Sequence, residues 1–247
     1  MKTFSIDDFP AFAETIRRLS GDRFKAMYSS LLGGITTDPA LMLIPLHDHM
    51  VHRGDGIFES FKCVDRHLYN LAAHLDRLER SAATLEMELP VTREALYDIA
   101  VATARAGDAA DCAMRIFVSR GPGTFGINPY ECVGPQLYVA ATTLGRPFMQ
   151  VHPEGAAVGT SALPAKQAFL ATIKSCNYVP NVMMKKEAID RELDFVVAYD
   201  EQGCLAEGAT ENMGIVTRER ALLFPTFDGV LQGTTMMRAI ALAERLI

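Results

Sequence analysis

The 247-residue sequence predicts a mixed α/β (α+β) protein of two domains. Three observations carry that expectation. Strand-like and helix-like periodicities alternate in both halves of the chain. The composition breaks at Gly145-Arg146-Pro147, which places a boundary between a domain over 1–145 and one over 146–247. The length supports one large core or two small ones, and no internal repeat points to a solenoid.

In the first domain, Phe12, Ile16 and Leu19 line one face of a helix, with Asp8 as its cap and Pro10 in its first turn. A hairpin is expected around Gly33-Gly34, and the short apolar run 41–46 reads as a buried strand. Gly54-Asp55-Gly56 marks a turn into a strand over 57–64. Leu71, Leu75, Leu78 and Leu85 form the apolar stripe of one helix. A second helix runs from a Thr92 cap through Leu96 and Ile99 to Gly107. Strands over 113–119 and 137–142 enclose a Gly/Pro-rich loop, 120–135. In the second domain the pattern is a helix over 180–192, a strand over 195–199, a turn over 200–203 and a strand through Leu205. Strands near 214–216 and 222–224 and a last helix after Gly233-Thr234-Thr235 complete it.

Composition narrows the function. With 49% hydrophobic and 22% charged residues the chain is a folded globular protein, not a disordered or collagen-like one. No apolar run approaches the roughly 20 residues that span a bilayer. The N-terminus turns acidic at Asp7 and Asp8, without the apolar core of a signal peptide, so a cytoplasmic protein with no membrane partner is expected. A net charge of -6 with no basic run argues against nucleic acid as a partner. The five cysteines are odd in number and lack CxxC spacing, which fits free thiols in a reducing compartment.

Several motifs admit two readings. Gly121-Pro122-Gly123-Thr124-Phe125-Gly126 matches GxGxxG, but Pro122 and Pro129 oppose the helix that a dinucleotide site needs, so a loop is expected. His47, Asp48, His49 and His52 are dense enough to suggest a metal-dependent hydrolase, since His47 and His49 on a strand would point the same way. No third-ligand motif accompanies them, and no metal site is expected. No Ser lies in a GxSxG elbow. Lys186 can pair with Asp190 on a solvated helix face, and Lys166 falls in a loop near Pro164. Lys174 follows Phe169, Leu170 and Ile173, so it is either a surface lysine or a partly buried nucleophile. Glu207, close to Gly208, either hydrogen-bonds a ring nitrogen or solvates a turn. Gly233-Thr234-Thr235 is either a phosphate cup or an ordinary cap.

Taken together, HRGDGIFESF at 52–61, HLDRLERSA at 74–82, IKSCNYVPNVMMKKEA at 173–188, DEQGCLAEGATENMGIV at 200–216 and LQGTT at 231–235 resemble the class IV aminotransferases. That family includes branched-chain and D-amino acid aminotransferases and aminodeoxychorismate lyase. The N-terminal half looks closest to the plant-type D-amino acid aminotransferases. The resemblance implies a small N-terminal and a larger C-terminal α/β domain with pyridoxal 5'-phosphate (PLP) between them, and a homodimer. It implies that Lys174 carries PLP as a Schiff base and that Tyr178 contacts the ring oxygen. Glu207 would pair with the pyridine nitrogen, and Arg77, Gly233, Thr234 and Thr235 would hold the phosphate. The implied reaction moves an amino group between a branched-chain or D-amino acid and a 2-keto acid. A lyase releasing pyruvate on the same scaffold and a non-catalytic PLP-binding scaffold are the alternatives. Phe58 stands at a substrate-side position. Phe125-Gly126-Ile127 replaces the Arg-x-His carboxylate trap of the bacillary D-amino acid enzymes, which leaves Arg115 or Arg120 as substitute charges. About forty residues that the family carries after the last helix are not in this sequence.

Overall fold

A computed structural model describes residues 1–246. Ile247, the last residue of the expected second domain, lies outside the described residues. The chain divides into two compact units, Met1–Gly145 and Arg146–Ile247.

The first unit contains α1 (Phe9–Ser20), β1 (Phe24–Ser29), β2 (Gly34–Thr36), α2 (His49–Arg53), β3 (Gly56–Val64), β4 (His67–Leu68), α3 (Leu71–Thr84), α4 (Arg93–Ala106), β5 (Cys112–Ser119) and β6 (Gln136–Thr143). The strands form one sheet in the order β2-β1-β6-β5-β3-β4, with every neighbouring pair antiparallel. Alternation along β3 and β5 buries Ile57, Glu59, Phe61 and Cys63 beside Cys112, Met114, Ile116 and Val118. Helix α3 packs on β3, and α4 packs on β1, β5 and β6. Thr92 caps α4 by accepting the Ala95 N–H at 3.3 Å.

Three local expectations are corrected. Asp8 does not cap α1 with its side chain: its carboxylate accepts the Ser5 N–H at 2.9 Å, in a capping box around the 3-10 turn Ile6–Asp8. Ala13 is the buried residue of α1, while Phe12 and Leu19 are exposed. The run 41–46 is not a strand. Asp38 caps a 3-10 turn, Pro39–Leu41, and irregular chain follows. Pro45 has no N–H for a ladder, and Leu41, Leu43 and Leu46 are exposed. The His47–His49 stretch is not a strand either, because Asp48 accepts the Met50 N–H at 2.9 Å and starts α2. The glycines at 121–126 lie in a loop. Gly121 has φ +105, and a Cβ there would meet the Gly134 carbonyl oxygen at 2.0 Å, so this is a close backbone crossing that requires glycine.

The second unit contains α5 (Phe148–Val151), β7 (Val158–Thr160), α6 (Ala168–Ala171), α7 (Val179–Asp190), β8 (Phe195–Tyr199), β9 (Leu205–Gly208), β10 (Ile215–Val216), β11 (Leu222–Leu223) and α8 (Thr234–Leu246). Strand β8 lies between a parallel β7 and an antiparallel β9, while β10 and β11 form a separate ribbon. Met184 and Ala188 of α7 pack with Val196, Ala198 and Ala209 in the core. Glu187 stitches the segment after β7 to α7: it accepts the Ser161 hydroxyl at 2.8 Å and the Ala162 N–H at 3.0 Å. Among the described residues no helix is long and apolar enough to cross a membrane.

Candidate active site

Lys174 follows the single turn of α6. Its neighbours Ile173 and Ser175 are buried, which fixes the backbone on both sides of a half-buried lysine. Four residues on, Tyr178 occupies the N-cap position of α7, with Pro180 in the first turn, where its missing N–H costs nothing. The Tyr178 carbonyl accepts the Val182 N–H at 2.9 Å. The amine of Lys166 lies 5.5 Å from the centre of the Tyr178 ring.

Glu207 belongs to β9. Its Oε2 accepts the Leu231 N–H at 3.1 Å. Burial pushes the Glu207 carboxyl above the ordinary range; the Leu231 N–H and the charges of Lys166 and Lys174 oppose that, and Glu211 adds to it. The structure therefore brings Lys174 and Glu207 within electrostatic reach of one another. Asn212 pairs with Glu207 as an isolated bridge and donates from Nδ2 to the Leu231 carbonyl at 2.8 Å, so it sets the irregular segment whose N–H reaches Glu207. Asn181 of α7 is buried and donates to the Ala209 carbonyl. Sequence reasoning assigned no role to Lys166, Asn181 or Asn212.

Gly233, Thr234 and Thr235 open α8. The leading N–H groups of a helix have no carbonyl of a preceding turn to bond and carry positive dipole character. A Cβ at Gly233 would fall 1.8 Å from the Asn212 Oδ1, so the backbone here passes directly against a side chain of the Glu207 loop. Gly233→Ala is expected to displace Asn212 from Leu231 and to lower stability by about 1–3 kcal/mol. Urea unfolding measures this; an unchanged midpoint would mean that Asn212 yields without cost.

In the first unit, Arg77 of α3 is buried and donates from Nε and Nη2 to the two oxygens of Glu59, at 2.8 and 2.7 Å. The His74 Nδ1 stands 2.6 Å from the same Glu59 Oε2. Phe58 stacks on Phe117 with centroids 5.9 Å apart. The Ser60–Arg115 and Phe58–Phe117 registers put Arg115 on the same sheet face as Phe58, and Arg115 is exposed. Arg120 lies beyond the end of β5 and is committed to protein acceptors: Asp55 at 3.1 Å, the Leu85 carbonyl at 3.0 Å and the Glu86 carbonyl at 3.1 Å. The histidines part company: His47 is exposed, whereas His49 is buried with its Nδ1 3.5 Å from Asp55. Among the described residues no group of three or more His, Cys, Asp or Glu side chains is placed to hold a metal ion.

A family model described as amino-transferase class IV matches residues 56–247. The chain belongs to the class IV aminotransferases. It is 40% identical over 228 residues to a D-amino-acid transaminase, chloroplastic, of Arabidopsis thaliana, covering 92% of this chain and 60% of that protein. This class IV chain thus spans three fifths of the length of its plant relative. Its fold matches the branched-chain amino acid aminotransferase of Escherichia coli, with a TM-score of 0.82 and 22% identity over 91% of this chain and 75% of that one. A hypothetical aminotransferase of Mycobacterium tuberculosis, in its PLP-bound form, matches with a TM-score of 0.74 and 26% identity, over 89% of this chain and 78% of that one.

Proposed function

We propose that this class IV chain binds PLP through Lys174 and transfers an amino group between an amino acid and a 2-keto acid. The observation that carries the reading is the Glu207 carboxyl: half-buried, held at Oε2 by the Leu231 N–H, and within electrostatic reach of Lys174. A pyridinium nitrogen suits such a carboxyl, because a cation relieves the cost of burying its charge. The close approach of Gly233 to Asn212, at the head of α8, supplies a glycine backbone and a helix N-terminus suited to phosphate. These residues fit the cofactor.

When bound, PLP supplies an electron sink for the bonds at the substrate Cα. The protein supplies the rest. The Lys174 amine would hold the cofactor and move the proton at the substrate Cα. The Glu207 carboxylate would accept the ring N–H and favour its charged form. The Tyr178 hydroxyl would contact the ring oxygen. The N–H and hydroxyl groups of Gly233, Thr234 and Thr235 would hold the phosphate, and the family resemblance gives Arg77 to the phosphate as well. It also places Phe58 on the substrate side, with Arg115 as a candidate charge for the substrate carboxylate.

The plant relative favours a D-amino acid as donor. The family resemblance supports a homodimer, and five free cysteines suit a reducing compartment such as the cytoplasm. The test is a visible spectrum of the PLP-loaded protein, recorded with single D- and L-amino acids. The band of lysine-bound cofactor is expected to bleach with D-amino acids and to return with a 2-keto acid. Bleaching with L-amino acids alone would move the donor to the branched-chain type. Pyruvate released from aminodeoxychorismate without an acceptor would make the protein a lyase, and a band that no substrate changes would make it a non-catalytic binder.

A further inference from the structure

Glu207 lies in β9 and Gly233 stands before α8, on separate stretches of the second unit. One half-buried side chain, Asn212, joins them. Its place is set by a tight turn. The Gly208 N–H donates to the Glu211 carbonyl at 2.7 Å, and Glu207 and Asn212 face each other across the turn as antiparallel partners. Partners of that kind project to the same face of a ribbon. The turn itself is tied to α7, because the buried Asn181 donates from Nδ2 to the Ala209 carbonyl.

From that position the two ends of the Asn212 amide do different work. Nδ2 donates to the Leu231 carbonyl at 2.8 Å, and the N–H of Leu231 donates to the Glu207 Oε2 at 3.1 Å. Leu231 is therefore gripped on both sides, at its carbonyl by Asn212 and at its N–H by Glu207. Oδ1 lies against Gly233, in the volume that a β-carbon there would fill. Val230 and Met236, both buried, anchor the chain on either side of this contact. These demands suit asparagine. Aspartate has the same shape but no donor for the Leu231 carbonyl, and it would set a second negative charge on the face of Glu207. Leucine has the volume and can make neither bond.

We propose that Asn212 is a positioning residue that holds the Glu207 carboxylate and the Gly233 turn at a set spacing, so that a ligand with a ring nitrogen at one end and a phosphate at the other meets both at once. The proposal rests on the PLP reading for the ligand, whereas the link from Glu207 through Leu231 and Asn212 to Gly233 belongs to the protein alone. The consequence is a chelate effect. A molecule that engages two sites at matching separation binds far more tightly than either of its fragments, and the gain is lost when the separation is no longer held. Removing Asn212 therefore weakens the whole ligand and spares the fragments.

The test compares three probes by calorimetry on cofactor-free protein: pyridoxamine phosphate, which reaches both ends, pyridoxamine, which has only the ring, and inorganic phosphate. None of them needs a bond to Lys174. Asn212→Ala is expected to lower the affinity for pyridoxamine phosphate by about tenfold or more, while each fragment changes by less than about twofold. Asn212→Ser, a small polar residue suited to a turn, is the second variant and is expected to give the same split. A merely structural residue would weaken all three probes alike. Equal losses for the three, or an unchanged affinity for pyridoxamine phosphate in a folded variant, overturns the proposal. Amide hydrogen exchange gives a readout without ligand. The Leu231 N–H is expected to exchange about tenfold faster in either variant, relative to the amides of β8, which report unfolding of the whole unit. Unchanged protection at Leu231 also overturns the proposal. If wild-type protein binds none of the three probes, the PLP reading fails, while the exchange at Leu231 still decides whether Asn212 holds the Glu207 segment.

Discussion

Lys174→Ala is expected to abolish the visible band of lysine-bound cofactor and to slow amino transfer by about 10⁴-fold. Two functions are lost together, the covalent anchor and the amine that moves the proton at Cα. The neighbouring Lys166 does not restore them. Its chain is tied to β8 through Ala165 and to α7 through Ser161, and its amine sits against the Tyr178 ring. Stopped-flow absorbance of a single half-reaction measures the effect without interference from product release. Residual PLP bound without covalent attachment is compatible with this result. Transfer within tenfold of wild type would remove Lys174 from the reaction.

The second large effect is on stability. Glu59, fully buried on β3, takes both prongs of Arg77 and the ring of His74. Burial alone would raise the Glu59 carboxyl, but the hydrogen bonds and charges of Arg77 and His74 outweigh it and hold it below the ordinary range. Glu59→Ala leaves a buried guanidinium without its counter-charge, and a loss of about 3–5 kcal/mol is expected. Urea unfolding of cofactor-free protein measures it. An apolar triple replacement (Glu59→Leu, His74→Leu, Arg77→Met) is expected to recover most of that loss, because no charge then remains buried. If the single variant is as stable as wild type, the cluster contributes nothing to the fold.

The pH dependence follows from the same pair. A carboxyl whose folded pKa is depressed contributes its stability in full above the unfolded value, about 4.3 for glutamate. That contribution is lost as pH falls from there through the folded value. Wild-type protein is therefore expected to lose stability on acidification below about pH 4.3 more steeply than the apolar triple variant.

Much of the architecture is legible in the residues because it is written in periodicity. The Leu71, Leu75 and Leu78 stripe and the Thr92 cap mark two helices that pack on the sheet. The strand 195–199 coincides with β8. The run 41–46 was opaque because apolar content does not make a strand where a proline interrupts the ladder and the leucines have no core to enter. The histidines misled for a similar reason: one carboxylate, Asp48, nucleates a turn of helix and overrides alternation.

The site divides the same way. Lys174, Tyr178, Glu207 and the Gly233 loop stand out through the spacing of family motifs. Glu59 had a readable signal of its own, a charged residue in the buried phase of β3 between Ile57 and Phe61. Its partners His74 and Arg77 recur on the stripe of Leu71 and Leu78. Lys166 and Asn212 had none, because they lie on irregular chain and their roles depend on which groups the fold brings beside them.

The central claim is that the Lys174 amine carries PLP. Borohydride reduction of the PLP-loaded protein, followed by peptide mapping, tests it directly. The expected result is one phosphopyridoxyl group per chain, on Lys174, with Lys166 unmodified. Labelling of Lys166 or of surface lysines in its place, or no stoichiometric label at all, would contradict the account.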